Sequence, residues 1–493
     1  DAMPEALEEL VEMHELEEYY RNDRRFIYLP DLYEAETAAA GRLRMMLHDL
    51  CEDSDAALNR SIELLEDELG IEYDSLQKKA LREAVRNHVF VLTGGPGTGK
   101  TTTLNALIRL LEQQGDTVML AAPTGRAAKR LTELTGKDAK TIHRLLEVDY
   151  TSDEMHPVFR KNEKNPLKCN TLIVDEMSMV DSVLFDSLLR ALSFSCRLIM
   201  VGDSDQLPSV GAGNVLHDLL SSDILPSVTL TTIFRQAAES MIVTSAHDIV
   251  NGEYPYLECK DNDFFFMPRG SEAECAATVC QLCEKRLPKA YDLSPMWDIQ
   301  VLCPGKRGEA GTWGLNIALQ KALNPPAKGK KEHTQNGRLF REGDKVMQVK
   351  NDYRMSWKRA RRGRPDELGE GVYNGDLGTI MSIDLYEQTV DVLFDDEREA
   401  LYEFSQLEEL ELAYCISIHK SQGSEFPVVI LPLAGGPPML MTRNLLYTAV
   451  TRARKAVYII GHEECPAQMV ANNQVKQRYS ALAAFMRADR GLQ

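Results

Sequence analysis

The apolar residues of this chain fall into two long blocks in which short apolar runs alternate with amphipathic stretches. In the first block these runs lie at residues 89–92, 118–121, 171–174 and 198–201. In the second block, which begins near residue 231, they lie at residues 299–303, 428–431 and 456–460. Buried strands that alternate with helices are typical of parallel sheets covered by helices on both faces. The sequence therefore predicts an α/β fold with two parallel-sheet domains.

Two segments interrupt this alternation. Residues 148–168 are polar, contain Pro157 and Pro166, and lie between two predicted strands, so we predict a small hairpin that projects from the first domain. From residue 343 to residue 410 the period shortens, and apolar runs at 346–349, 377–383 and 389–394 are separated by Gly, Asn and Asp turns. This pattern predicts a small β-barrel inserted into the second sheet domain.

The first 70 residues contain no recognisable chemistry. Their apolar spacing predicts amphipathic helices at residues 8–20, 35–50 and 56–69, with a short strand at 26–30. We therefore predict a small, mainly helical N-terminal accessory domain at 1–70. The other predicted units are a first sheet domain at 71–231, a second at 232–342 and 411–493, and the inserted barrel at 343–410.

The net charge of −19 at first argues against a nucleic-acid-binding protein. However, residues 1–70 hold 20 acidic and 6 basic side chains, so the other 423 residues carry a net charge of only −5. A nearly neutral body has room for a basic groove that binds phosphates. We recognise no apolar stretch long enough to span a membrane and no leader-peptide pattern, so we expect no membrane partner. The chain begins with Asp1 rather than Met, which leaves open whether it is a fragment of a longer protein.

The ten cysteines are scattered, which predicts reduced thiols and a cytoplasmic location. Only Cys275, Cys280 and Cys283 lie close together, within a predicted helix. They are either small buried apolar side chains or part of a metal or iron–sulfur site, and the second interpretation lacks a fourth ligand.

Residues 94–101 read Gly-Gly-Pro-Gly-Thr-Gly-Lys-Thr and follow a predicted strand. This is the complete P-loop pattern, in which backbone amides and a helix N-terminus surround the phosphates of a nucleotide. Lys100 is expected to reach the β and γ phosphates, and Thr101 to hold Mg²⁺. The pattern therefore predicts an ATP site that uses Mg²⁺.

Further candidate residues follow other predicted strands or lie in the second domain. Asp175 is expected to complete the Mg²⁺ ligands, and Glu176 to polarise the attacking water. Gln206 is placed to sense the γ-phosphate, although a capped turn would give the same local pattern. Arg235 and Arg452 are candidate arginine fingers, and the alternative for each is a surface ion pair.

The ordered set of motifs resembles superfamily 1 DNA helicases, and within them the RecD-like branch. The residues that carry the resemblance lie at 94–102, 122–128, 141–143, 175–176, 202–211, 234–236, 417–426 and 447–454. The resemblance implies two RecA-like domains with ATP between them, and it makes the inserted barrel SH3-like. It implies a nucleotide site formed by Gln77, Gly95, Gly97, Thr98, Gly99, Lys100, Thr101, Thr102 and Glu425. It also implies DNA contacts through Pro123, Thr124, Arg126, His143, Val210, Asn374 and His419.

By the same resemblance the enzyme moves 5′ to 3′ on single-stranded DNA and unwinds duplex at junctions. The segment 148–168 is expected to act as a wedge, and the N-terminal region to contact a protein partner. We expect a monomer. The alternatives are an RNA helicase, a DNA translocase that does not unwind, and a nucleotide-gated binding module.

Two aromatic residues and one basic run remain open. Trp313 and Tyr373 either stack on bases or pack in a core. The run at 358–364 either contacts phosphates or is a solvated loop.

Overall fold

The computed structural model describes residues 3–21, 23–47, 55–149, 158–257, 262–361, 365–473 and 478–487. The N-terminal region contains α1 (Met3–Glu12), β1 (Glu17–Arg21), β2 (Arg24–Tyr28), α2 (Pro30–Met46) and α3 (Asp55–Leu69). The predicted helix at 8–20 is therefore wrong in its second half, where residues 17–21 form one strand of a hairpin. Aromatic residues favour strands, and Tyr19 is the direct cross-strand partner of Phe26.

The two longer N-terminal helices pack on the first sheet domain. Leu43 and Met46 of α2 share a core with the strands of the first sheet. Leu58 and Leu65 of α3 belong to the core on its other face. The boundary predicted at residue 70 remains a prediction, but the apolar surface of α2 and α3 is buried against the first domain.

The first sheet is built from six parallel strands. Its segment contains α4 (Ser75–Arg86), β3 (Val89–Gly94), α5 (Lys100–Gln113), β4 (Val118–Ala122), α6 (Gly125–Thr135), β5 (Ala139–Thr141), α7 (Ile142–Leu146), β6 (Val148–Asp149), β7 (Val158–Phe159), β8 (Thr171–Val174), α8 (Ser182–Arg190), β9 (Arg197–Gly202), α9 (Val215–Ser221) and β10 (Ser227–Leu230). The strand order is β10-β3-β9-β8-β4-β5. Strands β6 and β7 pair as an antiparallel hairpin at the base of the predicted wedge, whose central residues lie outside the described ranges.

The second sheet has five parallel strands and resumes after an insertion. The part before the insertion contains α10 (Arg235–Ala238), α11 (Met241–Asn251), β11 (Phe264–Pro268), α12 (Glu272–Gln281), α13 (Leu287–Tyr291), β12 (Ile299–Cys303) and α14 (Thr312–Leu323). The insertion contains β13 (Glu332–Gln335), β14 (Arg338–Arg341), β15 (Lys345–Gln348), β16 (Asp352–Arg359), β17 (Glu367–Val372), β18 (Leu377–Asp384), β19 (Thr389–Phe394), β20 (Glu399–Glu403) and β21 (Leu410–Leu412). The last part contains β22 (Cys415–Ser417), β23 (Phe426–Leu433), α15 (Arg443–Val450), β24 (Ala453–Gly461), α16 (Glu464–Ala471) and α17 (Leu482–Arg487).

The fold class predicted from the sequence is confirmed. The second sheet has the order β11-β24-β23-β12-β22, and all its strands are parallel. The insertion is a seven-stranded antiparallel sheet, β17-β16-β20-β19-β18-β15-β21, with its own apolar core. The C-terminal helix α17 returns to the first domain, where Leu482 and Met486 pack beside α2.

The three neighbouring cysteines belong to the apolar core of the second domain. Cys275 and Cys283 are buried in it, and Cys280 lies at its edge. Within the described ranges, no three His, Cys, Asp or Glu side chains are grouped so as to hold a metal ion. These cysteines therefore act as small apolar side chains.

None of the helices in the described part of the chain combines the length and apolarity needed to cross a membrane.

Candidate nucleotide and nucleic-acid sites

Three adjacent strands of the first sheet deliver predicted nucleotide-binding residues, and also Asp203, to one edge. The P-loop follows β3, Asp203 follows β9 and Asp175 follows β8. Ligands of open α/β sheets bind beyond the carboxyl ends of the strands. There a cleft of about 340 Å³ opens towards the second domain, and Lys100, Thr101, Asp175, Glu176 and Arg452 line it.

The P-loop has the backbone shape that its glycines permit. Gly97 and Gly99 have left-handed φ angles of 73° and 81°, which a residue with a side chain adopts only with strain. A Cβ atom at Gly99 would lie 2.6 Å from the Gln77 amide nitrogen and 2.7 Å from the Phe234 ring. The loop is therefore held between a helix of its own domain and a segment of the second domain.

The Lys100 ammonium lies inside the curve of the loop. It donates a short hydrogen bond to the Gly94 carbonyl and lies 3.5 Å from the Gly95 carbonyl oxygen. Its nitrogen is 3.9 Å from the Asp203 carboxylate. A phosphate that enters the cleft therefore meets a cation that already lies inside the loop.

Asp175 and Glu176 form an acidic pair in the wall of the cleft. The Glu176 amide donates to the Asp175 carboxylate at 2.8 Å, and Glu176 has a left-handed φ of 53°. Backbone strain of this kind concentrates at functional sites. Burial, together with the neighbouring Glu176 charge, raises the pKa of Asp175 to about 6. The Thr101 hydroxyl and the Asp175 carboxylate are both hard oxygen donors that face this space, so the donor set fits Mg²⁺.

The second domain contributes a buried arginine to the cleft. The Arg452 guanidinium donates to the Thr448 and Ser424 carbonyls at 3.3 and 3.1 Å. It also lies 4.0 Å from the Glu176 carboxylate. For Arg235 the structure describes only the backbone, at the start of α10, so its role stays a prediction.

Arg130, which lies on α6, was not among the predicted site residues. Its guanidinium is 3.6 Å from the Glu176 carboxylate and forms a short ion pair with Glu425 of the second domain. Arg454 pairs with the same Glu425 at 2.6 Å. Glu176 thus lies between Arg130 and Arg452, and Glu425 is held at the cleft by two arginines. A helix position in an otherwise ordinary amphipathic pattern carried no signal of this role.

A buried carboxylate connects the two domains behind the cleft. Asp203 accepts hydrogen bonds from the Gln206 amide at 3.2 Å and from the Tyr447 hydroxyl at 2.7 Å. The Leu207 amide donates to the Thr448 hydroxyl at 3.0 Å. Tyr447 and Thr448 belong to α15 of the second domain, and sequence reasoning did not single out either of them.

Not every predicted nucleotide contact reaches the cleft. Thr98 is buried and donates to the Gly95 carbonyl at 2.9 Å, so it shapes the loop from behind. Thr102 is exposed on α5. The Gln77 side chain accepts from the Asp74 amide at 3.0 Å, and its NH₂ group donates to Thr103 and Gly99. Gln77 therefore braces the P-loop helix, and its contact with adenine stays a prediction.

The predicted DNA contacts are distributed over both sheet domains and the insertion. Val210 is 86% exposed, and Asn374 is exposed as well. Pro123 and Thr124 follow β4, and the Thr124 hydroxyl caps α6 by accepting from the Ala127 amide. His419 lies in the turn after β22, and burial lowers its pKa.

Arg126 and His143 face elements of the second domain or its insertion. Arg126 donates to the Ser424 hydroxyl at 3.1 Å and pairs with Asp395 at 3.3 Å. Burial lowers the pKa of His143, whose ring lies 5.9 Å from that of Phe159 and 6.4 Å from that of Tyr353. A neutral imidazole among aromatic rings suits stacking better than phosphate binding.

The surroundings of Tyr373, Trp313 and the basic run differ from one another. Tyr373 is buried beside Tyr353, with Arg144 over its ring. Trp313 is 53% exposed, so core packing is wrong for it. In the basic run, Lys358, Arg359 and Arg361 form ion pairs with carboxylates of the insertion, and residues 362–364 lie outside the described ranges.

Sequence profiles of known domain families match the chain in succession. The AAA domain matches residues 77–212, the SH3 domain of ATP-dependent RecD-like DNA helicases matches 315–394, and the UvrD-like helicase C-terminal domain matches 412–460. The SH3 match begins inside α14, before the insertion boundary predicted at residue 343.

Similar proteins include a RecD2 DNA helicase and a RecD subunit of the RecBCD enzyme. The ATP-dependent RecD2 DNA helicase of Deinococcus radiodurans is 35% identical over 94% of this chain, which spans 59% of that relative's length. The RecBCD enzyme subunit RecD of Mycobacterium tuberculosis is 30% identical, with 81% of this chain and 71% of the relative covered. Among solved structures, the Pif1 helicase from Bacteroides in complex with ADP-AlF3 and ssDNA is 22% identical, with 85% of this chain covered, 98% of that one, and a TM-score of 0.46. The chain belongs to the RecD-like family of superfamily 1 DNA helicases.

Proposed function

We propose that the chain is an ATP-dependent DNA helicase that moves 5′ to 3′ on single-stranded DNA and separates duplex at a junction. The observation that supports this most directly is the composition of the nucleotide cleft. The first domain supplies Lys100, Asp175 and Glu176, and the second domain supplies Arg452. A cleft shared in this way makes ATP hydrolysis depend on the relative position of two domains.

In the proposed reaction, Glu176 orients a water molecule and accepts its proton as the water oxygen bonds to the γ-phosphorus. The bond from that phosphorus to the β–γ bridging oxygen breaks, and ADP leaves. Lys100 and Arg452 stabilise the negative charge on the transferred group. Mg²⁺, held by Thr101 and Asp175, neutralises phosphate charge when it is bound.

Closure and opening of the cleft would move two DNA-binding surfaces relative to each other. Thr124 lies on the first domain and His419 on the second, so each domain carries candidate contacts to the strand. If the two domains grip the strand alternately, each ATP hydrolysed becomes a step along it. The direction of movement rests on the resemblance to the RecD-like branch.

The test is unwinding of two partial duplexes, one with a 5′ single-stranded tail and one with a 3′ tail, with ATP and Mg²⁺. We expect only the 5′-tailed duplex to be unwound, and Lys100→Ala to abolish the reaction. Unwinding from the 3′ tail alone would refute the direction and leave the motor. ATP hydrolysis stimulated by DNA without unwinding would instead indicate a translocase. Stimulation of hydrolysis by RNA but not by DNA would indicate an RNA helicase.

The hairpin formed by β6 and β7 is proposed to act as the wedge. It leaves the first sheet domain between α7 and β8, and its base packs through Phe159 near His143. Replacing residues 150–157 with a short glycine–serine turn should preserve DNA-stimulated ATP hydrolysis and abolish unwinding. Unchanged unwinding would refute the wedge. We also expect a cytoplasmic monomer with a protein partner at the N-terminal region, which size-exclusion chromatography and crosslinking test.

A further inference from the structure

A groove on the second domain combines an exposed tryptophan with cationic side chains, away from the nucleotide cleft. The groove has a volume of about 490 Å³ and lies between α14, the hairpin of β13 and β14, and the edge strand β22. Trp313 and Ile317 form its apolar wall and are 53% and 68% exposed. Large apolar side chains that lie next to each other and remain this exposed are typical of binding surfaces.

The tryptophan is held on a rigid support. Asn316 makes two hydrogen bonds with the backbone of Cys415, one to its carbonyl at 2.8 Å and one from its amide at 2.9 Å. These bonds fasten α14 to the edge strand. The Trp313 amide donates to the Lys306 carbonyl at 3.1 Å, which fixes the start of the helix. The backbone that carries the ring is therefore fixed, which lowers the entropy lost when a ligand stacks on the ring.

The charges around the groove suit a polyanion. Lys306 follows the carboxyl end of β12, and Lys420 follows that of the adjacent parallel strand β22. Glu411 is already paired with Arg338 at 3.0 Å. Within the part of the chain that the structure describes, neither Lys306 nor Lys420 forms an ion pair. Lys306 is exposed and Lys420 is half-buried, and burial lowers the pKa of Lys420, so a phosphate in the groove would stabilise the charged form of Lys420.

We propose that this groove is a grip for single-stranded DNA, in which one base stacks on Trp313 and the flanking phosphates lie against Lys306 and Lys420. The proposal rests on the proposed function and adds Trp313 and Lys306, which lie outside the helicase motifs, to Lys420, which lies within the motif at 417–426. Lys420 is the next residue after His419, so the groove continues a candidate DNA contact. A flat aromatic ring flanked by cations suits single strands, because duplex bases keep their faces covered by stacking.

Binding of a fluorescein-labelled oligo(dT) by the whole chain tests this grip. Stacking of one base typically contributes enough affinity that Trp313→Ala should raise the Kd about 5- to 100-fold. Trp313→Phe should recover most of the affinity, because a phenyl ring still stacks. Tyr256→Ala is the matched control, since Tyr256 is an exposed aromatic residue of the same domain outside the groove. Lys306→Ala should reduce the dependence of log Kd on log salt by about one.

Two further measurements separate stacking from a structural effect. The chain has three tryptophans, so oligo(dT) should quench the fluorescence of the wild type, and Trp313→Phe should lose most of that quenching. An oligonucleotide with abasic sites should bind the wild type about as weakly as Trp313→Ala binds normal oligo(dT). Failure of the wild type to bind oligo(dT) would overturn the proposed function as a whole. Normal binding by the wild type with an unchanged Kd for Trp313→Ala would overturn this grip alone.

Discussion

Replacing Asp175 with asparagine should stabilise the protein in the absence of nucleotide and Mg²⁺ while it abolishes ATP hydrolysis. Burial beside Glu176 raises the pKa of Asp175 from 3.8 to about 6. Each pH unit between the folded and unfolded pKa values corresponds to about 1.4 kcal/mol. The ionised carboxylate therefore costs the folded state at most about 3 kcal/mol.

The pH dependence of this cost has a definite sign. Below pH 3.8 the Asp175 carboxyl group is protonated in the folded and in the unfolded chain, so it does not lower the stability. Between pH 3.8 and about 6 the unfolded chain ionises first, so stability falls as the pH rises, and above that window the whole cost is present. Asparagine is neutral and still accepts the hydrogen bond from the Glu176 amide. The free energy of unfolding of Asp175→Asn should exceed that of the wild type by about 3 kcal/mol at pH 8 and by about half of that at pH 5.

The assay is urea denaturation in EDTA at both pH values, with the exposed Asp138→Asn as the matched control. With ATP and Mg²⁺ added, the wild type should become more stable than Asp175→Asn, because a ligand stabilises only the protein that binds it. Lower stability of the Asp175 variant at pH 8 would refute the reasoning. So would a gain of equal size at pH 5 and pH 8.

Three other substitutions test the cleft and its connections. Arg130→Ala should lower kcat about 10- to 100-fold with little change in KM, because Glu176 loses a cation that positions it. Arg130→Lys should recover part of the rate. An unchanged kcat for Arg130→Ala would refute the positioning role of Arg130. Arg452→Ala should lower DNA-stimulated kcat about 10³-fold or more, measured by phosphate release. Tyr447→Phe removes a hydroxyl 2.7 Å from Asp203 and should weaken the stimulation of ATP hydrolysis by DNA more than the basal rate. Tyr458→Phe is its control, and equal loss of both rates would contradict a coupling role.

Much of the fold could be predicted from the sequence, because parallel strands buried on both faces are continuous apolar runs. The runs at 171–174 and 299–303 coincide with parallel strands that are buried at every position. Strands at the edges gave a weaker signal. Ser227–Leu230 and Ala139–Thr141 are short and partly polar, since one side of each strand lacks a neighbour.

The contacts between distant parts of the chain could not be predicted. The sequence placed residues 411–493 in the second domain, whereas α17 packs on the first. Before it, Arg478 donates to the carbonyls of Ser209, Gly211 and Gly213, and so holds the loop that carries Val210. Hydrogen bonds to backbone carbonyls require a particular geometry but no particular partner residue, so they leave no pattern in either segment.

The same limit explains which site residues were found. A P-loop is local, and its glycines, lysine and threonine appear as one motif. Arg130 and Tyr447 instead act through side chains that come from other parts of the chain, Glu425 and Asp203. Arg130 lies in a helix whose pattern is explained by packing alone, and Tyr447 lies in the motif at 447–454, where no role of its own was assigned to it. Only the arrangement in space shows their chemistry.

The Asp203 carboxylate takes part both in the nucleotide cleft and in the interface between the two domains. Its carboxylate lies 3.9 Å from Lys100 and accepts hydrogen bonds from Gln206 and Tyr447. A γ-phosphate that draws Lys100 towards itself moves the ammonium charge away from Asp203. The Asp203 carboxylate is then stabilised only by the two neutral donors, Gln206 and Tyr447. A buried carboxylate responds strongly to such a change, because little water is present to screen it. Tyr447 belongs to the second domain, so the position of one ammonium group on the P-loop alters the strength of a bond between the domains.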